Sequence, residues 1–245
     1  MDFSRAYPTR YRRPWIMING RRSDSVAGLV IRSLPPISKP AMRYTSEEID
    51  GRDGDTATRL GYQAYDKDVS VGLYGGFDID RVIEYFATSG EVVFSSEPDK
   101  VYRFEQFEAV DFERLVRFRT ATVKFHVQPF KTSLLCRPRS FDGSAGVATV
   151  TNTGNVDAAP VVTVEAAGHV VLTLDGSPVL SIDRQGDYTA VIDVANLEAA
   201  TTDGVLLNRA ITGDYERLTL SRGRHTVKWS GAVKAITIAD YSRWI

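Results

Sequence analysis

The chain has 245 residues, of which 43% are hydrophobic and 25% are charged, the balance of a globular protein with a buried core. Thirty basic residues against 31 acidic ones leave a formal charge of −1, which predicts no general attraction to nucleic acid or to an anionic membrane. No apolar run reaches the roughly 18–20 residues of a membrane-spanning helix, and the single cysteine, Cys136, excludes an intrachain disulfide and a cysteine-based metal site.

The N-terminal segment MDFSRAYPTRYRRPW is positively charged but has no apolar run behind it, so it lacks the pattern of a secretory signal. Arginines alternate with aromatic residues here, as in an arm that docks on protein or, as the alternative, on nucleic acid. The plainer interpretation is a solvated terminus that settles against a neighbour. The residues concerned are Arg5, Arg10, Arg12, Arg13, Tyr7, Tyr11 and Trp15.

Strands are predicted at residues 26–32 and 42–49, on either side of the segment SLPPISKPAMRY. Pro35, Pro36 and Pro40 remove three backbone donors, so the first strand must end there. The glycines of IDGRDGD predict a loop-rich region. GYQAYDKDVSVGLY then predicts further strand with a turn at its central aspartates.

One helix is predicted over about residues 78–88. Asp78 has the side chain of an N-cap. Because a helix of about ten residues does not hold by itself, its apolar side must pack on a sheet. That side is formed at helical spacing by Ile79, Val82, Ile83 and Phe86.

Two long strands are predicted after the helix, in EVVFSSEPDKVYRFEQFEAV and RLVRFRTATVKFHVQPF. In the second run Val116 and Phe118 stand at even-numbered positions, whereas Val123 and Phe125 stand at odd-numbered ones. On one regular strand the two pairs would therefore point to opposite faces. Since a slip of one residue turns every side chain to the opposite face, a bulge or a change of sheet is predicted near Thr120.

The segment RPRSFDGSAG predicts a connection between two domains, residues 1–137 and 138–245. About nine short β runs separated by turn signals follow it, as in a jelly-roll β-sandwich. The predicted runs are GVATVTN, PVVTVEA, HVVLTL, PVLSI, YTAVIDV, VLLN, YERLTL, RHTVKW and VKAITIADY. Asp175-Gly176 predicts a two-residue hairpin, and Tyr188 to Val194 alternate like a half-buried antiparallel strand. The predicted fold is mainly β: a β-sandwich-like domain with one packed α-helix, then a jelly-roll sandwich.

The chain shows no pattern typical of an enzyme, and we predict no catalytic, cofactor-binding or metal-binding residue. His126 is predicted to face solvent, His169 to lie in a turn and His225 to be half-buried packing. No two histidines have the spacing of metal ligands, and neither a nucleophile elbow nor a phosphate-binding loop is present. The sequence therefore predicts a structural or binding protein.

Both ends of the chain resemble the distal tail proteins of long-tailed phages. LPPI, KPAMRY and the DGRDGD turn resemble the N-terminal domain of that family. TNTGNVDAAPVVTVEA and HTVKWSGAVKAITIADYSRWI resemble its galectin-like C-terminal domain. The segments occur in the family's order and together cover most of the chain.

The resemblance implies a structural virion protein that forms a hexameric ring at the distal end of the tail tube. The expected partners are further copies of itself, with stacked rings as a further expectation, then the tail tube protein, the tail-associated hub protein and receptor-binding proteins. The implied location is the virion, after synthesis in the host cytoplasm. DNA is expected only to pass through the central channel, without sequence-specific binding, and no membrane is involved.

The resemblance also implies a role for the prolines and glycines that follow the first strand. The prolines end that strand and set an extended crossover, and the glycines let the chain re-enter the sheet tightly. Prolines also protect an edge strand from unwanted pairing.

Two alternatives stay open from the sequence. In the first, the C-terminal sandwich is a carbohydrate-binding module of a tail adhesion device that recognises the host cell wall. However, the His-x-Asn-x-Arg strand and downstream Trp-x-x-Glu of true galectins are missing, and His225 with Trp229 does not supply them. The second alternative is a cell-wall hydrolase, for which the sequence offers neither an evident acid pair nor a metal site.

Overall fold

The computed structural model describes residues 13–51, 53–105 and 110–245. The chain divides into two compact units, Met1–Pro129 and Phe130–Ile245. The segment just before residue 138 lies in the second unit, where Lys131 and Trp244 exchange backbone hydrogen bonds of 2.8 and 2.9 Å. The domain limits 1–137 and 138–245 stay a prediction.

The first unit is built on a seven-stranded sheet with the order β2-β1-β7-β8-β9-β6-β3, and a separate two-stranded sheet, β4-β5. Two α-helices accompany the strands among the described residues. The elements are β1 Ile16–Ile18, β2 Arg21–Arg22, β3 Leu29–Ser33, β4 Met42–Glu48, β5 Asp55–Tyr62, β6 Tyr65–Leu73, α1 Ile79–Phe86, β7 Gly90–Phe94, β8 Lys100–Glu105, α2 Phe112–Phe118 and β9 Thr120–Ser133.

The core of the first unit contains a group of packed aromatic rings among its aliphatic side chains. Phe94 meets Tyr102 and Phe125 edge to face, with ring centroids 5.4 and 5.9 Å apart, and Phe104 meets Phe125 at 5.0 Å. All four side chains are buried, and this edge-to-face geometry is the arrangement that aromatic rings prefer. The sheet therefore has a well-packed inner face against which other elements can rest.

The predicted helix is present as α1. The Asp78 carboxylate accepts hydrogen bonds from the backbone N–H groups of Asp80 and Arg81, as expected of an N-cap. Val82 and Phe86 are buried, whereas the other two members of the predicted stripe are half-buried. Tyr85, outside that stripe, is also buried and donates from its hydroxyl to the carbonyl of Ile16.

A second helix, α2, corrects the prediction of one long strand over RLVRFRTATVKFHVQPF. Asp111 caps the helix by accepting from the N–H of Arg114 at 2.7 Å, and Leu115 is its buried anchor. The helix ends at Phe118, Arg119 takes a left-handed conformation with φ of 58°, and β9 begins at the next residue. The apolar residues before and after Arg119 stand at even and odd positions because the chain changes there from helix to strand, and not because of a bulge.

Two strand predictions on either side of α1 also need correction. The run that starts at Glu91 is not one strand, because the turn at residues 95–99 divides it into the antiparallel pair β7 and β8. The turn predicted within residues 66–68 is absent, since β6 runs straight through it and pairs with β9.

Strands β4 and β5 form a hairpin that stands apart from the main sheet. Gly51 and Gly54 lie at its tip, both with φ of 81°, a conformation that glycine adopts without strain. The glycines therefore close a separate hairpin, and the expectation that they return the chain to the sheet was wrong. The chain rejoins the sheet at β6, beside the edge strand β3 that the prolines follow.

The second unit contains eight strands, all paired antiparallel. Two of them, β12 and β17, are long and bent, and each pairs with different neighbours along its two halves. The strands are β10 Arg139–Asp142, β11 Val147–Asn152, β12 Val161–Leu174, β13 Ser177–Ile182, β14 Asp187–Asp193, β15 Glu198–Thr201, β16 Ile211–Gly213 and β17 Gly223–Ala239.

Because β12 and β17 bend, their first and second halves belong to two different layers of strands. Side chains from both layers pack into a single apolar cluster. The register of β12 against β17 shifts between Ala167 and Val170, and Gly168 and Gly231 have positive φ there. Val164 before the bend and Leu172 after it are both fully buried in the same cluster. The mainly β fold is confirmed, with a sandwich as the second unit.

Several details of the predicted sandwich differ from the structure. The four predicted runs on either side of Gly168 and Gly231 are two continuous strands, because the chain bends at these glycines without ending a strand. YERLTL begins as a 3-10 turn, Tyr215–Leu218, and not as a strand. The Asp175-Gly176 hairpin is confirmed, with φ of 48° and 88°, and so is the alternating burial of Tyr188 to Val194.

Candidate functional surfaces

The most deeply placed histidine, His225, fastens a turn to a neighbouring strand. Its Nδ1 lies 2.7 Å from Oδ2 of Asp175, and its Nε2 lies 2.8 Å from the carbonyl oxygen of Ser221. Asp175 also accepts from the N–H of Thr226 at 2.8 Å. Each polar atom of the imidazole thus has a partner, which is the arrangement of a structural histidine.

The two ionisable groups of this contact stabilise each other. Burial by itself lowers the pKa of His225, but the hydrogen bonds to the Asp175 carboxylate and the Ser221 carbonyl outweigh it, so that the pKa is raised overall. The hydrogen bond from the backbone of Thr226 is the main reason that the pKa of Asp175 is lowered, and His225 adds to it.

The other two histidines do not converge on this position. His126 lies half-buried on β9, with Nδ1 2.7 Å from Oδ1 of Asp66 on the neighbouring strand β6. His169 is exposed at the bend of β12. In residues 13–51, 53–105 and 110–245, no three histidine, cysteine, aspartate or glutamate side chains are grouped as metal ligands would be.

A buried lysine anchors the proline segment of the first unit. Lys67, only 2% exposed, donates from Nζ to the carbonyl oxygen of Pro36 at 3.0 Å. Its ammonium also lies 5.0 Å from the ring centroid of Tyr102 and 5.4 Å from that of Tyr65. A cation over aromatic faces within about 6 Å is attracted to them, so this contact holds the crossover between β3 and the hairpin against the sheet.

The tyrosines around Lys67 form a polar network. Tyr102 donates from its hydroxyl to the carboxylate of Glu97, and both side chains are buried. Burial is the main cause that raises the pKa of Tyr65 to about 12 and also raises that of Tyr102. The raised pKa values keep these hydroxyls protonated even at alkaline pH, so that they remain hydrogen-bond donors of a structural network.

The hairpin formed by β4, its tip and β5, residues 42–62, is named the hairpin arm here. In the part of the chain that the structure describes, every residue between Arg43 and Gly61 is exposed. The apolar side chains of Tyr44, Ile49 and Leu60 are 63%, 51% and 54% exposed. The arm thus exposes apolar side chains of a kind that single domains in solution usually bury.

A second exposed surface of the first unit combines arginines with aromatic rings. Arg32 donates from Nη2 to the carbonyl oxygen of Arg119 at 3.0 Å, which joins β3 to the end of α2. The Arg119 guanidinium lies over the ring of Phe77, 4.6 Å from its centroid. We name this the arginine–aromatic surface; its exposed members are Arg13, Arg32, Tyr74, Arg114, Arg117, Phe118 and Arg119.

The N-terminal arginine arm falls only partly within the described residues. Arg5, Arg10 and Arg12 lie outside them. Trp15, within them, stacks against Arg22, whose guanidinium carbon is 4.3 Å from the ring centroid. Arg13 is exposed and belongs to the arginine–aromatic surface.

A shallow groove in the second unit is the described feature most relevant to saccharide binding. Its walls come from the bend at His169, from β13 and from the segment that follows β16, including Asp214 and Arg217. The large hydrophobic side chains that this unit exposes are aliphatic, among them Leu135 and Leu206. Among the described residues that line the groove there is no tryptophan, tyrosine or phenylalanine.

No helix among the described residues is long and apolar enough to cross a membrane.

The comparisons with known proteins rest on structure. No protein-family model matches the chain, and no curated protein sequence matches it either. The crystal structure of SPP1 Dit (gp 19.1), described as a paradigm of the hub adsorption apparatus of phages that infect Gram-positive bacteria, matches with a TM-score of 0.65 and 17% identity. The match covers 96% of this chain and 100% of that one.

A second match is weaker. The baseplate of phage P2 in its activated, Ca-bound conformation gives a TM-score of 0.46 at 6% identity, covering 96% of this chain and 99% of that one. The fold assignment rests on the first match, which extends over both units. The chain therefore has the fold of the phage distal tail protein Dit, a helix-bearing β domain followed by a β-sandwich.

Proposed function

We propose that the protein is a structural component of the tail of a long-tailed phage. In this proposal six copies form a ring hub that joins the distal end of the tail tube to the baseplate or tip and leaves a central channel for DNA. The observation that carries the proposal is the fold match to SPP1 Dit, which covers 96% of this chain and 100% of that one. Dit is described as a paradigm of the hub adsorption apparatus.

The surfaces of the first unit support self-association. A closed ring needs two different patches on each subunit, because in a heterologous contact one patch of a copy meets the other patch of the next. The hairpin arm and the arginine–aromatic surface are two such exposed patches on one unit. The buried Lys67 network and the His225 contact are structural, so neither competes with this role as a reaction site.

The expected partners follow from the position in the tail. We propose that one face of the ring binds the tail tube protein, the other binds the tail-associated hub protein, and the second unit carries receptor-binding proteins. Stacked rings are part of the same proposal. The protein would be made in the host cytoplasm and act in the virion, without catalysis.

Light scattering after size-exclusion chromatography, followed by negative-stain microscopy, tests the proposal on the purified full chain. The expected result is a particle with the mass of six 27.1 kDa chains and sixfold rings with a central opening, with or without the tail tube protein. A species that stays monomeric at high concentration, and does not associate when the tube protein is added, would overturn the proposal.

The groove in the second unit does not favour the carbohydrate-binding alternative. Sugar rings commonly rest on the faces of tryptophan and tyrosine, and neither residue type is among the described residues that line the groove. Binding on a cell-wall glycan array, lost in Arg217→Ala, would revive this alternative. Signals at background level would remove the carbohydrate-binding alternative.

A further inference from the structure

The segment that joins β3 to the hairpin arm crosses the first unit without belonging to a strand or a helix. It comprises residues 34–41 and is named the strap here. Pro35, Pro36 and Pro40 supply no backbone N–H group, so the strap lacks three of the donors that strand pairing needs. Pro35 and Pro40 are buried, whereas Ile37 is 57% exposed. The strap is therefore held on the unit by scattered contacts, and not by the ladder of a sheet.

Hydrogen bonds to the carbonyl oxygens of the strap connect it to β6 and to the residues just before that strand. Lys67 on β6 donates from Nζ to Pro36 at 3.0 Å. The hydroxyl of Tyr65 lies 3.4 Å from the carbonyl oxygen two residues further along the strap, longer than a usual O–H···O hydrogen bond. The N–H of Gln63 donates to Ala41, the last residue of the strap, at 2.8 Å. The contact of Lys67 is the charged one, and hydrogen bonds of charged groups are about twice as strong as neutral ones.

The ammonium of Lys67 is buried beside the strap among aromatic rings, and the residue is only 2% exposed. Its Nζ lies 5.0 Å from the ring centroid of Tyr102, 5.4 Å from that of Tyr65 and 5.7 Å from that of Phe94. The buried carboxylate of Glu97, which accepts from the Tyr102 hydroxyl, belongs to the same network. Because a buried charge that loses a partner is strongly destabilising, the ammonium opposes any movement that takes the strap carbonyl away from it.

The hairpin arm continues directly from the strap. Its two strands pair with each other within the described residues, and every described residue between Arg43 and Gly61 is exposed. The arm ends next to Gln63, whose N–H group is bonded to Ala41 of the strap. Residues 34–63 thus form one continuous piece, named the strap–arm piece, whose attachment to the sheet lies in the strap. Parts of a fold with little buried surface open locally at a lower free energy than the whole fold.

We propose that Lys67 is a latch for the strap–arm piece. While its ammonium holds the Pro36 carbonyl, the hairpin arm leaves the sheet in one fixed direction. When this contact breaks, the strap and the arm lift together and the sheet stays folded. The latch explains a lysine on the inward face of β6, in line with Val69 and Val71, where an apolar side chain would otherwise be expected. Lys67 is a positioning residue in this inference, which concerns the single subunit and does not depend on the proposed ring.

Hydrogen exchange of the full chain, read residue by residue by mass spectrometry, follows the two movements separately. The Gln63 amide reports opening of the strap–arm piece, because its partner is the carbonyl oxygen of Ala41. The amides in the middle of the β6–β9 ladder report unfolding of the sheet. In the unaltered chain the Gln63 amide should be protected at least about tenfold less than those amides, and its exchange should depend less on urea.

Two substitutions distinguish the latch from the sheet. Lys67→Met keeps a long unbranched side chain but removes the ammonium, and it should speed exchange of the Gln63 amide by about ten- to a hundredfold. The sheet amides should also exchange faster in this variant, since unfolding of the sheet releases the strap as well.

The matched change is Val71→Ala, which opens a cavity at a position of the same strand that is 0% exposed and should speed the sheet amides at least about tenfold. Because lifting of the strap–arm piece leaves the sheet folded, this variant should change the Gln63 rate by less than about threefold.

Acetylation of lysine amines, measured by mass spectrometry, probes the latch without a substitution at Lys67. Exposed Lys39 should react at once, whereas Lys67 should react only while the strap is lifted. The rate at Lys67 should therefore agree within about threefold between the unaltered chain and Val71→Ala. This measurement decides the question even if circular dichroism shows that Lys67→Met does not fold.

Three outcomes would overturn the inference. Lys67→Met could leave the Gln63 rate unchanged, in which case Lys67 is not the latch. Val71→Ala could speed the Gln63 amide as much as the sheet amides, in which case no piece lifts separately. Acetylation of Lys67 could also be accelerated in Val71→Ala as much as the exchange of the sheet amides. Lys67 would then be reached only through unfolding of the sheet.

Discussion

Asn152 offers the sharpest test of the structure, because its amide satisfies three backbone groups at once, two of them through buried hydrogen bonds and one through a partly buried one. It lies in the TNTGN segment and is 1% exposed. Its Nδ2 donates to the carbonyl oxygens of Val156 and Leu220, both at 2.9 Å, and its Oδ1 accepts from the N–H of Gly154 at 2.8 Å. The change Asn152→Ala deletes all three contacts and removes the side-chain partner of the Val156 carbonyl and the Gly154 N–H, whereas the Leu220 carbonyl still accepts from the N–H of Ala158 at 2.9 Å.

The size of the effect follows from these contacts. An intramolecular hydrogen bond contributes about 0.5–1.5 kcal/mol net, and a buried partner left unsatisfied costs about 1–3 kcal/mol. With some relief from water that enters the space, we expect the free energy of unfolding to fall by about 3–5 kcal/mol. Near the transition, 1 kcal/mol corresponds to about 4 °C for a unit of this size, so the Tm should fall by about 12–20 °C.

The matched control is Asn155→Ala in the same segment. Asn155 is exposed and accepts one hydrogen bond, from the N–H of Ile245 at 2.9 Å. Its loss should cost about 1 kcal/mol or less. Differential scanning calorimetry, with urea titrations followed by tryptophan fluorescence, measures both. Equal effects of the two substitutions would refute the reasoning that the buried amide is the central support of this segment.

Three further predictions concern a bend, a histidine contact and a helix cap. Gly231→Ala should lower the free energy of unfolding by about 2–4 kcal/mol, because φ is 102° and the added Cβ would lie 2.1 Å from the carbonyl oxygen of His169. The control is Gly186→Ala, where φ is also positive but no atom lies near the added Cβ. It should lower the free energy of unfolding by only about 1–2 kcal/mol in the same urea titration. Because the pKa of His225 is raised, its contribution to stability is full below about pH 6.5 and is lost as the pH rises through the folded pKa. Because the pKa of Asp175 is lowered, the contribution of its carboxylate to stability is lost as the pH falls below about 3.8. The urea midpoint of the unaltered protein minus that of His225→Gln should therefore be larger at pH 6 than at pH 8, and an equal difference would contradict this. Asp78→Ala should cost about 1 kcal/mol through loss of the N-cap, and Asp80→Ala, which does not cap the helix, should cost less by thermal unfolding.

The sequence predicted correctly those secondary-structure elements that are determined by residues close together in the chain. The cap and apolar stripe of α1, the Asp175-Gly176 hairpin and the alternation from Tyr188 to Val194 depend on neighbouring residues, and the structure confirms each of them. The family resemblance, carried by the segments around the prolines and around Asn152, led to the Dit fold. The buried contacts of Asn152 give a physical reason for the TNTGN segment, since any other side chain there would leave backbone groups unpaired.

The sequence prediction failed where one local pattern is compatible with two different secondary structures. The residues before Thr120 suit a strand by composition, and only the burial of Leu115 with the Asp111 cap makes them a helix. Gly168 and Gly231 look like turn residues, but the long strands that pair across them continue through the bends.

The surfaces proposed for assembly were decided by tertiary structure alone. The sequence shows a row of acids near Gly51, but whether they lie in a loop, in the sheet or on a free hairpin depends on which strands β4 and β5 pair with. Likewise Arg32 and Arg119 are 87 positions apart and become one surface only because β3 and the end of α2 are brought together. Short-range order is set by backbone preference and the spacing of apolar side chains, whereas a surface depends on contacts between distant segments, which no local pattern encodes.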